Sequence, residues 1–252
     1  MRHKRRVHGP SGSRREREKR RRVTEERAEE DQEFLDCILN PVLGEYQKMS
    51  TDDIALRWRQ QCDKFFKNAY TNNVPIDAKA EDWYLVRVYD PVTKFKVFHL
   101  EKFVRRHTFQ EIWDHEKKMP PHDKKGAPYC IVVVASARRA CLVLNTLRDK
   151  DNPLHMAKLF AKHLKLEDTV NHLKTHHVDV GVGTPARLLA LTECGALDVS
   201  LLRCIVIHAS WPNRKDLYMM DMMETFMPMA RWLAHPKIRE RMKEREEMVC
   251  FA

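Results

Sequence analysis

Glycine is scarce in this chain, with seven residues in 252. A phosphate-binding loop of the form GxxxxGK[ST] needs two glycines and a lysine within eight residues. No segment of the sequence has this spacing, and both Gly44 and Gly126 are followed by residues that do not fit it. The sequence therefore excludes the common nucleotide-binding loop.

Long apolar runs are also missing. No run approaches the 18 residues of a membrane-spanning helix, and the basic N-terminal residues are not followed by the apolar region of a secretory signal. The seven cysteines are scattered, without a CxxC pair, which indicates a reducing compartment. Cys130, Cys141 and Cys204 lie in apolar runs, and we expect them to be small buried hydrophobic residues.

The positive charge is concentrated at one end of the sequence. Residues 1–22 carry a net charge of +9, out of +10 for the whole chain. Such a tail is typical of a nuclear or nucleolar address, an RNA-binding arm or a solvated charged helix. We favour the first two, because the cluster at residues 19–22 has no acidic residue within it. The basic residues of this prediction are Lys4, Arg5, Arg6, Lys19, Arg20, Arg21 and Arg22.

The segment before residue 120 has mixed patterns. An apolar stripe predicts a helix over residues 52–70, with Thr51 as its cap. Two alternating runs, 83–89 and 95–99, predict a β-hairpin. A polar, proline-containing stretch at 117–128 indicates a linker. We therefore divide the chain into a basic disordered or helical tail (1–33), a helical and hairpin extension (34–120) and an α/β domain (121–252).

From residue 129 onward, short apolar runs alternate with amphipathic segments. The predicted strands are 131–135, 156–161, 178–182 and 204–207, and the predicted helices are 138–148, 166–175 and 185–194. This alternation predicts an α/β fold with a parallel sheet and right-handed crossovers. The C-terminal segment 215–247 predicts helices that break near Pro228 and Pro236.

The run from Val180 to Leu188 (VGVGTPARL) joins a strand to a helix. Thr184 can cap this helix and Pro185 suits its first position, so the helix start presents free amides beyond the carboxyl end of a strand. Such a position binds phosphate groups, and Arg187 can add charge-assisted hydrogen bonds. The alternative is generic, because Thr-Pro begins many helices.

This run resembles the GTPGR motif of DEAD-box RNA helicases, which contacts the RNA backbone. Residues 130–142 are similar to that family's strand and PTREL motif. The four positions that correspond to Asp-Glu-Ala-Asp hold no carboxylate, and they are His208, Ala209, Ser210 and Trp211. Phosphoryl transfer needs carboxylates to hold Mg²⁺ and to position water. The resemblance implies one RecA-like half of a helicase that lacks its catalytic acids.

A closer resemblance covers residues 102–226. LFAKHLKL at 159–166, VGVGTPARL and the run Met219, Met220, Asp221 are similar to the Cms-type ribosomal small-subunit factors. The resemblance implies a nuclear, nucleolar protein of early small-subunit precursor particles, with a half-helicase fold and a charged N-terminal extension. Two positions depart from the family's pattern, since Ala186 commonly is glycine and His208 commonly is aspartate.

The resemblance also implies a site and partners. We expect pre-ribosomal RNA and small-subunit precursor proteins as partners, and no catalytic residue, metal, cofactor, small-molecule substrate or membrane. His176 and His177 face different sides and predict a solvated turn, not a metal site. The residues predicted to bind RNA are Thr184, Arg187, Ser136, Arg138, Arg139, Lys162, His163 and Lys165.

Two alternatives stay open at this point. The chain can be a protein–protein scaffold in ribosome assembly, with the tail serving only as an import signal. It can also be a divergent helicase subunit that obtains ATP binding from a partner. The sequence predicts a non-enzymatic nucleolar assembly factor ahead of both.

Overall fold

A computed structural model of the chain describes residues 49–66, 84–85, 123–148, 154–209, 212–213, 215–244 and 249–251, with parts of 16–29. Its described strands are β1 (Tyr84–Leu85), β2 (Cys130–Val133), β3 (Met156–Leu159), β4 (Val180–Gly183), β5 (Cys204–Ile207) and β6 (Val249–Phe251). Its described helices are α1 (Thr51–Phe66), α2 (Ala137–Thr146), α3 (Leu166–Thr175), α4 (Pro185–Glu193), α5 (Met223–Leu233) and α6 (Pro236–Glu244), with a 3-10 helix at Met219–Asp221.

The strands form one sheet in the order β1-β6-β5-β2-β4-β3. Every described pairing is parallel, and the central strand β2 pairs with β4 and β5 in matched register. Short apolar strands joined by helices form this arrangement because a parallel sheet needs crossover connections. The structure confirms the predicted fold class, a single parallel α/β sheet with flanking helices.

Both faces of the central strands are buried. Ile131 and Val133 of β2 point into a core shared with α1, α4 and α5, whereas Cys130 and Val132 point into a second core under α2. Alternate side chains of a strand face opposite sides, so a continuous apolar run requires cover on each side. This explains why β2 and β5 consist entirely of apolar residues.

Helix α1 belongs to the larger of these cores. Ile54 and Trp58 are fully buried, and the ring of Trp58 lies 4.8 Å from that of Phe226 in α5. Burying an aromatic side chain of this size stabilises the fold by about 2 to 3 kcal/mol. The apolar stripe therefore correctly predicted the buried face of this helix.

The start of α1 corrects one prediction. Ser50, and not Thr51, caps the helix: Asp53 N donates to Ser50 Oγ at 3.1 Å, and Ser50 N donates to Asp53 Oδ2 at 3.0 Å. This reciprocal pair is a capping box that satisfies two backbone donors. The Ser50 hydroxyl also donates to Asp53 Oδ2 at 2.6 Å, and this bond, with the one from Ser50 N, holds the pKa of Asp53 below its usual value.

The described residues include only two residues of the predicted hairpin and do not test it. Tyr84 and Leu85 form β1, which pairs in parallel with Cys250 and Phe251 of β6. The second predicted strand, 95–99, lies outside the described residues. The alternating pattern indicated a strand correctly at Tyr84 and Leu85, and its described partner is the C-terminal strand β6, a pairing that the sequence did not predict. Two pieces of the segment 34–120 thus join the core or the sheet of the α/β region.

Two further predictions were wrong. Pro228 lies inside α5, because Phe226 and Met229 on either side of it are fully buried and this packing offsets the lost backbone hydrogen bond. Cys141 is exposed on α2, whereas Cys130 and Cys204 are buried as expected. The break before Pro236 is confirmed, since α6 begins there.

Candidate nucleic-acid interface

Four chain segments meet where β5, β2, β4 and β3 end. His208 N donates to Val133 O at 2.9 Å, Val134 N to Gly183 O at 2.9 Å and Thr184 N to Leu159 O at 3.1 Å. These bonds keep the segments side by side beyond the last strand residues. We call residues 134–139, 160–165, 184–187 and 208–209 the carboxyl edge.

Gly183 sets the distance between two of these segments. A Cβ atom at this position would lie 2.5 Å from Leu159 O and 2.8 Å from Leu159 Cβ. Since real Cβ atoms do not approach backbone this closely, only glycine allows β4 to pack against the end of β3. The first residue of the GTPAR run therefore has a packing role.

Thr184 lies at the N-cap position of α4. Its φ and ψ are −96° and 148°, and its carbonyl accepts from Arg187 N and Leu188 N, each at 3.0 Å. The side chain makes no capping hydrogen bond. The predicted position is thus confirmed, but the predicted hydroxyl cap is wrong, because Arg187 N, at the third helical position, donates to the carbonyl of Thr184 and not to its hydroxyl.

The side chain of Arg187 turns toward the protein. Its Nη2 donates to Leu164 O at 2.9 Å and its Nη1 donates to Thr169 Oγ1 at 3.2 Å. The guanidinium therefore connects α4 to the loop after β3. The sequence offered no signal for these partners, since they depend on how α3 and α4 pack.

The loop after β3 presents the exposed basic residues of the edge. Lys162, His163 and Lys165 are all exposed. His163 has a φ of +59°, in the left-handed region that non-glycine residues enter rarely. The turn is closed by Leu164 N, which donates to Ala161 O at 3.1 Å. The structure therefore brings these three predicted residues together on one loop.

The segment after β2 is less accessible than expected. Ser136 is exposed and caps α2, with its Oγ accepting from Arg139 N at 3.4 Å. Arg138 is half-buried. Arg139 donates from Nη2 to Pro212 O, and burial lowers the pKa of its guanidinium to about 10. The guanidinium of Arg139 is therefore engaged within the protein.

Two of the four positions that were compared with the Asp-Glu-Ala-Asp motif, His208 and Ala209, lie at the end of β5. His208 follows the strand directly and Ala209 is fully buried, while Ser210 and Trp211 lie outside the described residues. Burial, together with the positive charge of Arg139, lowers the pKa of His208 to about 4. At neutral pH this position is therefore an uncharged imidazole beside a cation, an environment opposite in charge to a carboxylate pair.

The whole sequence matches the model of one protein family. That family is described as "CMS1: U3-containing 90S pre-ribosomal complex subunit", and the match covers residues 1–252. The chain belongs to the CMS1 family. The resemblance seen in the sequence motifs is thereby confirmed.

Curated proteins of the same name are similar in sequence. Protein CMS1 of Chaetomium thermophilum is 38% identical over 153 residues, which are 60% of this chain and 57% of that protein. Protein cms1 of Schizosaccharomyces pombe is 30% identical over 155 residues, 59% and 55% of the two chains. Protein CMSS1 of Homo sapiens is 33% identical over 103 residues, 41% and 37% of the two chains. The chain thus spans about half the length of the two fungal relatives and a smaller share of human CMSS1.

The solved structures that are similar to this CMS1 family member include one at low identity. It is a DEAD box protein from the hyperthermophile Methanococcus jannaschii, with a TM-score of 0.36 and 16% identity. The matched region covers 50% of this chain and 31% of that chain. The CMS1 assignment comes from the sequence match and does not depend on this similarity.

The described part of the basic tail corrects another prediction. Arg21 pairs with Glu25 at 2.7 Å and Arg22 with Glu18 at 3.5 Å, one helical turn apart. Acidic residues outside the cluster therefore offset part of its charge, which the count within residues 19–22 missed. The other predicted tail residues lie outside the described residues, and they are Lys4, Arg5, Arg6, Lys19 and Arg20.

Two further sets of features concern metals and membranes. His176 stacks on His172, with ring centroids 4.2 Å apart, and its Nδ1 lies 2.8 Å from Thr175 Oγ1. Within the described ranges, no group of three or more His, Cys, Asp or Glu side chains is placed to hold a metal ion.

Among the same residues, none of the helices has the length and apolar character needed to span a membrane.

Proposed function

We propose that this chain is a non-enzymatic assembly factor of the small ribosomal subunit precursor, that it acts in the nucleolus, and that it binds precursor rRNA through the carboxyl edge. The observation that carries this proposal is the match of all 252 residues to a family described as a subunit of the U3-containing 90S pre-ribosomal complex. Small-subunit precursor proteins are the second class of partner that the proposal includes.

The geometry of the carboxyl edge supports contact with an RNA backbone. Neighbouring strands of a sheet lie about 4.8 Å apart, so the three intervals from β5 to β3 extend over about 14 Å. Ser136 and the basic loop at Lys162, His163 and Lys165 offer donors along this line, and the start of α4 lies between them. Contacts of this kind position a phosphate backbone and carry little base specificity.

The environment of His208 supports a function without ATP hydrolysis. Hydrolysis of a nucleoside triphosphate needs carboxylates at this point of the fold to hold Mg²⁺ and to orient water. The two described residues after β5 are His208 and Ala209, and the nearby side chain of Arg139 is cationic. A fixed positive charge repels a divalent cation, so the proposal assigns no motor activity to the chain.

Binding of single-stranded RNA by the full chain tests this proposal. We compare the wild type, the double charge reversal K162E/K165E and the control K174E by fluorescence anisotropy over a range of salt concentrations. Lys174 is exposed like Lys165 but lies near the other end of α3. Arg139 is left unchanged, because a charge reversal at this half-buried group, which donates to Pro212 O, would disturb the fold.

We expect the wild type to bind with strong salt dependence, since each phosphate contact with single-stranded nucleic acid contributes about 0.7 to the slope of log K against log salt. The double variant should bind more than about tenfold more weakly at 0.1 M salt, and K174E should stay within about twofold of the wild type. Equal affinities of all three proteins would show that the edge is not the RNA site. Absence of RNA binding, with pre-ribosomal proteins still retained, would favour the scaffold alternative.

A further inference from the structure

Arg187 makes its two described hydrogen bonds to the protein's own loop and helix. Nη2 donates to the carbonyl of Leu164 and Nη1 to the hydroxyl of Thr169. The planar guanidinium can satisfy two acceptors at once in a fixed geometry. One N–H of each Nη is therefore directed at the protein, which orients the guanidinium toward Leu164 and Thr169.

Thr169 connects Arg187 to the basic loop through a second hydrogen bond. Its Oγ1 donates to Lys165 O at 3.2 Å while accepting from Arg187, and its side chain is buried with 4% exposure. Arg187 is thus connected to the backbone of the last two residues of the loop, directly at Leu164 and through Thr169 at Lys165.

The two ends of the loop are anchored in the core. Phe160 is 3% exposed and belongs to the core beneath α2, and the half-buried Leu164 packs against the same core. Between these anchors the chain passes through the left-handed conformation of His163. A non-glycine residue in this region persists where surrounding contacts hold it, and the bonds from Arg187 provide such contacts.

We propose that Arg187 is a positioning residue: it holds the loop 161–165 in the conformation in which Lys162, His163 and Lys165 contact the phosphodiester backbone of RNA. This inference rests on the proposed function and changes the role of one residue within it. Arg187 binds the protein, and the loop binds the RNA.

Neutral substitutions at Thr169 test this role most selectively. Thr169 is buried and uncharged, so it acts on RNA only through Arg187 and the loop. T169V removes both the acceptor of the Arg187 bond and the donor to Lys165 O at nearly constant volume, whereas T169S keeps the hydroxyl. We expect T169V to weaken RNA binding about three- to tenfold, because the connection from Arg187 through Thr169 to the loop is lost, and T169S to bind like the wild type.

Substitutions at Arg187 give an independent readout. R187K keeps the charge but not the fork, so we expect it to lose as much affinity as R187M. In a background of K162Q/K165Q, which itself should lower the salt slope by about 1.4, R187M should lower the slope no further. Hydrogen exchange at the Leu164 amide should accelerate in T169V and R187M, with thermal unfolding curves serving as the check of folding.

Several outcomes would overturn the inference. Wild-type affinity in T169V or R187K, unchanged exchange at Leu164 in R187M, or an additional slope loss of about 0.7 on adding R187M to K162Q/K165Q would each show that Arg187 does not act through the loop. These results leave the proposed function intact as long as K162Q/K165Q weakens binding. A wild type that binds no RNA would instead contradict the proposed function, and with it the RNA contact of the loop.

Discussion

The guanidinium of Arg57 donates two hydrogen bonds to the carboxylate of Asp221, with Nη2 3.0 Å from Oδ1 and 3.1 Å from Oδ2. Gln61 Nε2 donates to the same Oδ1 at 3.0 Å. Both side chains of the ion pair are about four-fifths buried. These contacts join α1 to the 3-10 helix at Met219–Asp221, and so connect the N-terminal extension to the α/β region.

We predict that D221A lowers the free energy of unfolding by about 2 kcal/mol, because it leaves two partly buried donors, in Arg57 and Gln61, without this acceptor. Urea unfolding at pH 7 measures the change. D63A, at an exposed position of α1, is the control and should change stability by less than about 0.5 kcal/mol. Equal stabilities of the two variants would show that the ion pair does not hold α1 in place.

The depressed pKa of His208 predicts a specific pH dependence. The imidazole titrates near 4 when folded and near its ordinary 6.5 when unfolded, so protons bind preferentially to the unfolded chain. Its contribution to stability is complete above pH 6.5 and declines as the pH falls toward 4. We therefore expect H208Q to lose less stability than the wild type between pH 7 and pH 5, measured by urea unfolding. Parallel losses in both proteins would contradict the burial of a neutral imidazole.

The close approach at Gly183 predicts a packing defect on substitution. G183A places a methyl group against Leu159 O, and overpacking of this kind costs about 1 to 3 kcal/mol. Gly195 is the comparison: it has a φ of +73° and open space around it, so G195A should cost about 1 kcal/mol from backbone strain alone. Thermal unfolding of both variants ranks them. A milder effect at Gly183 than at Gly195 would mean that β4 can move away from β3.

The environment of His208 also predicts that the chain does not hydrolyse ATP. We expect the purified full chain to show no ATP hydrolysis above background, with or without RNA, because hydrolysis needs carboxylates at this position. Release of inorganic phosphate measures the turnover. Turnover that follows the protein through purification and disappears in H208Q or T184A would overturn this expectation.

The sequence predicted the strands and helices whose residues follow one simple pattern of apolar and polar side chains. The apolar run of β5 and the amphipathic pattern of α3 gave the bounds that the structure has, Cys204–Ile207 and Leu166–Thr175. Both signals are local, because they depend on burial of consecutive residues on one or two faces. The fold class followed from their alternation.

Features that depend on distant partners were not predictable in this way. β1 has two residues and pairs with the far end of the chain, so its alternating pattern fitted a hairpin equally well. The partners of Arg187 and the burial of Arg139 depend on helix packing, and a motif shows which residues are charged but not where they point. Arg21 and Arg22 pair with glutamates that lie four residues away along the helix and therefore outside residues 19–22.

The central claim is that RNA contacts this chain at the carboxyl edge. Ultraviolet crosslinking of the full chain to RNA in cells, followed by mass spectrometry of the crosslinked peptides, tests it most directly. The account predicts crosslinks in peptides that contain residues 161–165, with others at 134–139 or 184–187, and attached RNA that derives from the small-subunit precursor. Crosslinks confined to residues outside the carboxyl edge, such as the tail at 1–33, would contradict it.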